Sequence, residues 1–240
     1  YRHNEENGQD NQDGTSYNYS WNCGVEGPTR KAGIRQRREQ QIRNALFLLF
    51  LSQGTPMLYG GDEFGNSQGG NNNAWCQDNL TGWVDWRERR KNDKLHKFAA
   101  QTIAFRKAHP ILHFDQELRG TDYKALGFPD FSLHGERAWY MSFDNTSRMF
   151  GILYNEAYAK GVSGTRAKEA GDFLFVAYNF HWESRKFALP TLPAGLRWKK
   201  TADTALGYEN CFQPEDVALE KFIEVSPRSI VILSGEEEHK

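Results

Sequence analysis

Several protein classes are excluded by what this 240-residue chain lacks. It holds three cysteines, too few for a disulfide framework, and the odd count leaves at least one thiol unpaired within the chain. Its longest apolar run is seven residues, 45–51, far short of the roughly 18 that a membrane span needs. The first residues, Tyr1-Arg2-His3-Asn4, carry no apolar signal-peptide core. Neither sign of charge is in excess. Thirty Lys+Arg face 31 Asp+Glu, a formal net charge of −1, which argues against a dedicated nucleic-acid binder. The seven histidines show no metal-like spacing, and no phosphate-loop, Ser/His/Asp or zinc-type pattern stands out. No metal and no cofactor are therefore expected. Aromatic residues, by contrast, are abundant: 14% of the chain, with 7 Trp, 10 Tyr and 16 Phe. Each buried ring removes a large apolar area from water, so a core built on rings more than on aliphatics is expected.

The length would suit a whole (β/α)₈ barrel, which runs to roughly 250 residues, but the pattern does not. Residues 1–29 are polar and turn-rich, with Asn7-Gly8 and Asp13-Gly14 as turn signals and no period of 2 or 3.6. Residues 32–52 read as a helix whose end, 45–51, is apolar all round and so expected to be deeply buried. Met57 to Tyr59, a short apolar run between Gly54 and Gly60, reads as a buried parallel strand. Asn92 or Asp93 caps an expected second helix over 94–108, which ends at His109-Pro110. Beyond it the texture turns to short β-like runs: 138–143, 149–154 and 173–180, then weaker ones at 187–189, 196–199, 222–225 and 229–233. Residues 159–171 read as a hairpin insertion or mobile loop, and 236–240 as a frayed charged tail. One strand–helix unit cannot make a barrel. The expected class is α/β plus all-β: the C-terminal part of a (β/α)₈ barrel over residues 1–110, then an antiparallel β-sandwich over 111–240.

The motifs specify this further. Gly54-Thr55-Pro56-Met57-Leu58-Tyr59-Gly60-Gly61-Asp62-Glu63-Phe64-Gly65 resembles the eighth strand and following turn of the α-amylase-type glycoside hydrolase barrel, glycoside hydrolase family 13. His3-Asn4-Glu5-Glu6-Asn7-Gly8 with Asp13-Gly14, and Ser20-Trp21-Asn22-Cys23-Gly24-Val25-Glu26-Gly27-Pro28-Thr29, resemble the loop after strand seven in its isoamylase and glycogen-debranching branch. Gly70-Asn71-Asn72-Asn73-Ala74-Trp75-Cys76-Gln77-Asp78-Asn79, followed by Trp83-Val84-Asp85-Trp86, resembles that branch's loop after strand eight. Weaker echoes follow in Asn179-Phe180-His181-Trp182-Glu183, Asp203-Thr204-Ala205 and Val225-Ser226-Pro227-Arg228-Ser229, which look like the sandwich closing such enzymes.

The resemblance implies hydrolysis of α-1,6 branch linkages in glycogen, amylopectin or limit dextrin, with retention of configuration. That chemistry needs a carboxylate nucleophile and a carboxylic acid about 5–5.5 Å apart. In the family these follow strands four and five, and a third carboxylate belongs to a His-Asp dipeptide after strand seven. None is in this sequence, which has no His-Asp dipeptide. No catalytic residue is assigned, and the chain alone is expected to be inactive. The resemblance also implies the missing N-terminal part of the barrel as a partner, an apolar barrel flank prone to self-association, and a cytoplasmic setting.

Asp62 and Glu63, adjacent on what reads as extended chain, point to opposite sides and suit no two-carboxylate cleft; holding neighbouring loops is their expected role. Better candidates for glucan contact are Asn71, Asn72, Asn73 and Trp75, together with Trp21 and Asn22. Amides donate and accept, matching sugar hydroxyls, and an indole face can stack on a glucose ring. The bland alternative has the asparagines making turns and Trp75 packing under its loop. Cys23 and Cys76 could bridge or, less readily, share a metal, and the favoured reading keeps them as reduced thiols; Cys211 is expected to be inert. Arg30, Lys31, Arg35, Arg37, Arg38 and Arg43 read as a solvated outer helix face. The rival function is a non-catalytic glucan-binding module using Trp139, Trp182 and Trp198, although core packing is the default for Trp139 and Trp182. A third reading is a structural accessory domain.

Overall fold

A computed structural model describes residues 5–10, 12–15, 17, 19–144, 146–161, 173–216, 219 and 221–238. The expected insertion at 159–171 therefore lies mostly outside the described residues, as do His3, Asn4 and the last two residues of the tail. The chain divides into two compact units, one of 1–38 with 57–101 and one of 39–56 with 102–240.

Seven strands build the second unit: β1 (Phe131–His134), β2 (Met149–Asn155), β3 (Phe173–Asn179), β4 (Arg185–Ala188), β5 (Leu196–Asp203), β6 (Phe222–Val225) and β7 (Ser229–Glu237). They form a five-stranded antiparallel sheet in the order β1-β2-β3-β7-β5 and a two-stranded sheet, β4-β6. The inner face of the large sheet, with Leu153, Phe173, Phe175, Ala177, Val231 and Leu233, packs on Phe187, Leu189, Ile223 and Val225 around the small one. This is the expected sandwich. Among the described residues its core sets four rings, Phe173, Phe175, Phe187 and Trp198, among eight non-aromatic side chains, so aliphatics outnumber the rings expected to lead; each fully buried Phe still contributes roughly 1.5–3 kcal/mol. Trp198 lies inside, with its indole N–H donating to the Pro190 carbonyl at 2.8 Å. Gly151 is required opposite Phe175, because a Cβ there would meet the ring at 2.5 Å. All of β3 is buried, so it is central on both faces.

The outer face of the large sheet is covered by helical segments of the same unit. The helix α1 (Ala32–Leu51) buries Arg43, Asn44, Leu46, Phe47, Phe50 and Leu51, a stripe at spacings of three and four. Leu48 and Ala45 stay exposed, so the 45–51 end is buried on one side rather than all round. Polar groups fix the seam. Arg43 Nε donates to Thr204 O at 3.0 Å, Asn44 Nδ2 to Arg228 O at 2.7 Å, and Thr204 Oγ1 to Asn44 Oδ1 at 2.6 Å. At the end of α1, Arg106 donates to the carbonyls of Phe50, Ser52 and Gly54 at 2.6–2.7 Å. It occupies those acceptors, which a helix terminus leaves unpaired.

Three expectations need correction. Met57 to Tyr59 forms no strand: no described strand pairs with it, and Met57 and Tyr59 are 87% and 55% exposed. A parallel strand exists only through its neighbours. Second, 138–143 is not a strand. Trp139 sits at φ 65°, turning the chain, and its N–H donates to His134 Nδ1 at 2.8 Å; strand β1 was missed in its place. Third, Glu236 and Glu237 belong to β7, paired with Arg197 and Leu196, rather than to a frayed tail. The second helix runs Asp93–Ala108 (α3), and a short one, α2 (Trp86–Lys91), precedes it with Asp85 as N-cap.

Two side chains generate tests. Asn179, fully buried, turns Nδ2 on the carbonyls of Glu183, Val225 and Ser226 at 2.9, 3.0 and 2.9 Å. Asn179→Asp replaces that donor with an acceptor facing three acceptors, so urea unfolding should show a loss of about 3 kcal/mol or more. A loss under ~1 kcal/mol would refute the role. His134 accepts at Nδ1, so its proton sits on Nε2, facing Ser132 Oγ at 2.8 Å. Burial pushes its pKa down to about 4. The unfolded chain, near 6.5, then takes up a proton that the folded one refuses. Stability is complete above pH ~6.5 and falls as pH drops towards 4, by up to about 3 kcal/mol. His134→Gln should flatten that acid slope in urea midpoints measured between pH 4 and 7.

Candidate functional site

In the first unit the described residues of two segments, 5–29 and 60–85, are tied together by side-chain amides. Asp13 Oδ2 accepts from Asn7 Nδ2 at 2.7 Å and from Asn73 Nδ2 at 2.8 Å. Asn7 Nδ2 also reaches Asn73 O at 2.9 Å, and its Oδ1 accepts from Gln77 Nε2 at 2.6 Å. Asn72 Nδ2 donates to Thr15 O at 2.9 Å, and Asn79 Nδ2 to Glu6 Oε2 at 3.1 Å. The asparagine run also makes its own turns: Asn71 Oδ1 accepts from Asn73 N at 2.9 Å, and Asn73 Oδ1 from Trp75 N at 3.1 Å. Gly14 is where the loops touch, since a Cβ would meet the Asn72 amide at 3.0 Å, and its φ of 79° suits glycine.

A second knot holds the loop over 21–28. Arg38, on the first turns of α1, donates to Asn22 O at 2.9 and 3.2 Å, to Gly27 O at 2.8 Å and to Val25 O at 2.5 Å. Read from sequence as part of a solvated face, it is instead the anchor of this loop. The Asn22 side chain closes the turn, its Oδ1 accepting from Gly24 N at 2.8 Å. Arg37 lies over the Trp21 ring, 5.8 Å from its centroid.

Between these segments lies a groove of about 1400 Å³, with Tyr17, Trp21, Asn22 and Arg38 among its lining on one side and Asn71 and Asn72 on the other. Trp21 is half exposed, and Tyr17, 73% exposed, stacks with Tyr19 at 6.2 Å between centroids. Four of the six sequence-predicted contact residues, Trp21, Asn22, Asn71 and Asn72, thus share one groove. Asn73 and Trp75 are not in its lining. Asn73 spends its amide on Asp13 and the Trp75 N–H. Trp75 is 71% exposed, so it does not pack under its loop either. Sequence reasoning missed Asp13, Tyr17 and Arg38. The Asp13-Gly14 pair was visible as a turn, but nothing in it signalled a carboxylate gripping two distant amides.

The groove's described lining offers ring faces, hydroxyls and amides, and a single carboxylate, Glu26. Among the described residues no group of three His, Cys, Asp or Glu could hold a metal ion. Asp62 and Glu63 sit in a single 3₁₀ turn, Asp62–Phe64, rather than on extended chain; Glu63 Oε2 accepts from Gly61 N at 2.8 Å. Burial, then the Glu63 charge, raises the Asp62 pKa. Cys23 is buried and Cys76 exposed, and both are free, in line with the reduced reading; Cys211 is buried, its pKa pushed up to about 12 by burial.

The chain is similar to proteins with debranching names. The glycogen operon protein GlgX homologue of Mycobacterium tuberculosis is 37% identical over 212 residues, covering 85% of this chain and 29% of that protein. The chloroplastic isoamylase 1 of Oryza sativa is 31% identical over 209 residues, 85% of this chain and 23% of that one. The glycogen debranching enzyme of Klebsiella pneumoniae is 49% identical over 111 residues, 46% of this chain and 17% of the enzyme. The chain thus spans less than a third of the length of these relatives. In fold it is similar to the pullulanase of Bacillus acidopullulyticus, with a TM-score of 0.58 at 17% identity over 87% of this chain and 21% of that one. No protein-family model matches it.

Arg38→Lys tests the loop anchor, because one ammonium cannot reach all three carbonyls. Amide hydrogen exchange over residues 22–28 should speed up about tenfold or more, while the sandwich stays protected. Unchanged protection would remove Arg38 from this role.

Proposed function

We propose that this chain, which belongs to the isoamylase and glycogen-debranching branch of the α-amylase-type glycoside hydrolases, is the C-terminal portion of an enzyme that hydrolyses α-1,6-glucosidic branch linkages. Its residues 1–110 are read as the end of the catalytic barrel and 111–240 as the closing sandwich. The substrate is a branched α-glucan: glycogen, amylopectin or a limit dextrin. The setting is cytoplasmic, with which three free thiols are compatible. No helix among the described residues is long and apolar enough to cross a membrane.

The observation that carries this reading is the groove. Trp21 and Tyr17 offer flat apolar faces, while Asn71 and hydroxyls such as Ser20 and Ser67 offer donors and acceptors at the edges. That is the combination a pyranose ring asks for: apolar C–H faces and an equatorial belt of hydroxyls. The groove lacks what the reaction asks for. Retaining hydrolysis needs two carboxylates about 5–5.5 Å apart, and Glu26 is the single carboxylate in the described lining. The chain is accordingly read as a substrate-binding wall, with the nucleophile and acid supplied by the barrel strands that its longer relatives have room for. Exposed Met57 and Tyr59 suit packing against those strands, or against a second copy when they are absent.

The accessory-module reading keeps one support. Trp139 and Trp182 are 49% and 52% exposed, so neither is the packed core residue expected. Trp198, at 2%, is removed from it.

Maltoheptaose should quench the tryptophan emission of the 240-residue chain. Trp21→Ala should abolish most of the change and Trp182→Ala should preserve it. Quenching that survives Trp21→Ala and fails in Trp182→Ala would move the site to the sandwich. Reducing-end assays on branched glucan should show no release by the isolated chain; turnover would overturn the division of labour.

A further inference from the structure

The second unit has a cavity of its own, about 560 Å³, between the β1–β2 connection (135–148) and the β3–β4 connection (180–184). Arg137, Arg148, Arg185 and His181 line it, and Tyr140 adds an exposed ring. The carboxylates nearby are largely engaged. Asp144 is turned on its own loop, accepting from Thr146 N at 2.8 Å and Thr146 Oγ1 at 2.9 Å. Glu183 pairs with Arg185 at 3.2 Å. Glu136 is the remaining carboxylate of the described lining.

Donors crowd the imidazole at one end of the pocket. Glu183 N–H approaches His181 Nδ1 at 3.1 Å, and Arg185 Nη2 approaches Nε2 at 2.8 Å. A neutral imidazole has one accepting nitrogen, so one of these donors faces a ring N–H. Protonating the ring would turn both nitrogens into donors, with the Glu183 carboxylate 3.7 Å from Nδ1 as the nearby counter-charge. The His181 pKa is accordingly lowered, first by burial and then by Arg185, with Arg148 and Arg228 acting in the same direction and Glu183 against them. Arg148 rests over the Trp182 ring, 4.8 Å from its centroid, and Trp182 stacks on His181 at 4.0 Å. The loop carrying His181 and Glu183 is held by the Asn179 amide, so these donors are positioned before any ligand arrives.

We propose that this cavity binds a phosphorylated sugar, its phosphoryl group taken by Arg148, Arg185 and Arg137 and its ring seated towards Tyr140. Guanidinium forks match the oxygens of a phosphate in pairs. An incoming oxyanion would add an acceptor to a lining in which three guanidinium groups face few carboxylates. The cavity is larger than one tetrahedral anion fills, and Ser142, Thr146 and Ser147 line the remainder with hydroxyls that suit an attached sugar. The inference does not rest on the glucan reading of the groove in the first unit.

Trp182, lying under Arg148, is the reporter. Glucose 6-phosphate, inorganic phosphate, maltoheptaose and potassium chloride at matched ionic strength are titrated into the full 240-residue chain, and Trp182 emission is isolated by difference against Trp182→Phe. Glucose 6-phosphate should change it saturably, binding several-fold tighter than inorganic phosphate, with chloride and maltoheptaose inert. Arg148→Gln and Arg137→Gln, both at exposed positions, should each weaken binding about tenfold or more, read by calorimetry, since Arg148→Gln also alters the reporter. Lys186→Gln, outside the cavity, controls for general charge. No response beyond chloride, or affinity unchanged in both arginine variants, overturns the proposal. Phosphate binding as tightly as the sugar phosphate overturns the sugar half of it. Saturable maltoheptaose binding lost in Arg148→Gln would show a neutral-glucan site instead.

Discussion

Arg38, Arg106 and Asn179 do the same work in three places. Each turns its N–H donors on a set of backbone carbonyls: Asn22, Val25 and Gly27; Phe50, Ser52 and Gly54; Glu183, Val225 and Ser226. Much of this chain is irregular, and irregular backbone inside a folded protein must still find partners. Planar multi-donor side chains solve that problem with one residue per turn. They also fix where the turn sits, because several bonds from one rigid group leave little freedom. The groove and the sandwich cavity are both bordered by loops held in this way.

The same constraint explains what could be read from the residues and what could not. Helix α1 was legible because Leu46, Phe47, Phe50 and Leu51 recur at helical spacing, and β2, β3 and β7 because apolar runs stand between turn residues. Strand β1 was not, since Phe131–His134 is short and half-buried and owes its place to pairing with β2. Residues 138–143 look like a strand by composition. Yet His134 takes the Trp139 N–H and bends the chain there, a contact that no periodicity announces. At the site, Trp21, Asn22, Asn71 and Asn72 were legible by chemistry. Asn73 has the same chemistry and a different fate, because Asp13 claims its amide from sixty residues away. Arg38 sits among five other basic residues of one stretch, read together as a solvated face; its reach to loop carbonyls, and the burial of Arg43 on Thr204 O, separate these two from the rest.

Those bonds bear on recognition. An amide already holding a loop is a poor ligand for a sugar, since binding would have to break what positions the groove. Asn73 is spent on both its atoms, and the Asn22 side chain closes its own turn. The rings of Trp21 and Tyr17 add flat apolar area to the lining, with arginines near the first. Rings lose little conformational freedom on binding and offer large area for it. On the proposed reading the groove favours stacking over a dense hydrogen-bond network, an arrangement that would grip a run of glucose units without demanding one register.

Stacking without register is a useful division of labour for a hydrolase. Interactions equal in ground and transition states hold substrate but do not accelerate its cleavage. In the proposed enzyme a wall that binds through ring faces would supply that uniform part, and the discrimination among linkages would fall to the carboxylate pair and its immediate surroundings. Joining binding wall and carboxylates into one polypeptide converts the encounter with a long, branched polymer into an intramolecular alignment. The exposed apolar side chains of Met57 and Tyr59 mark where such a joint would bury surface. An apolar segment without a strand partner among the described residues lacks what a parallel strand needs on either side, and burying it would stabilise the loop that leads from it into the groove.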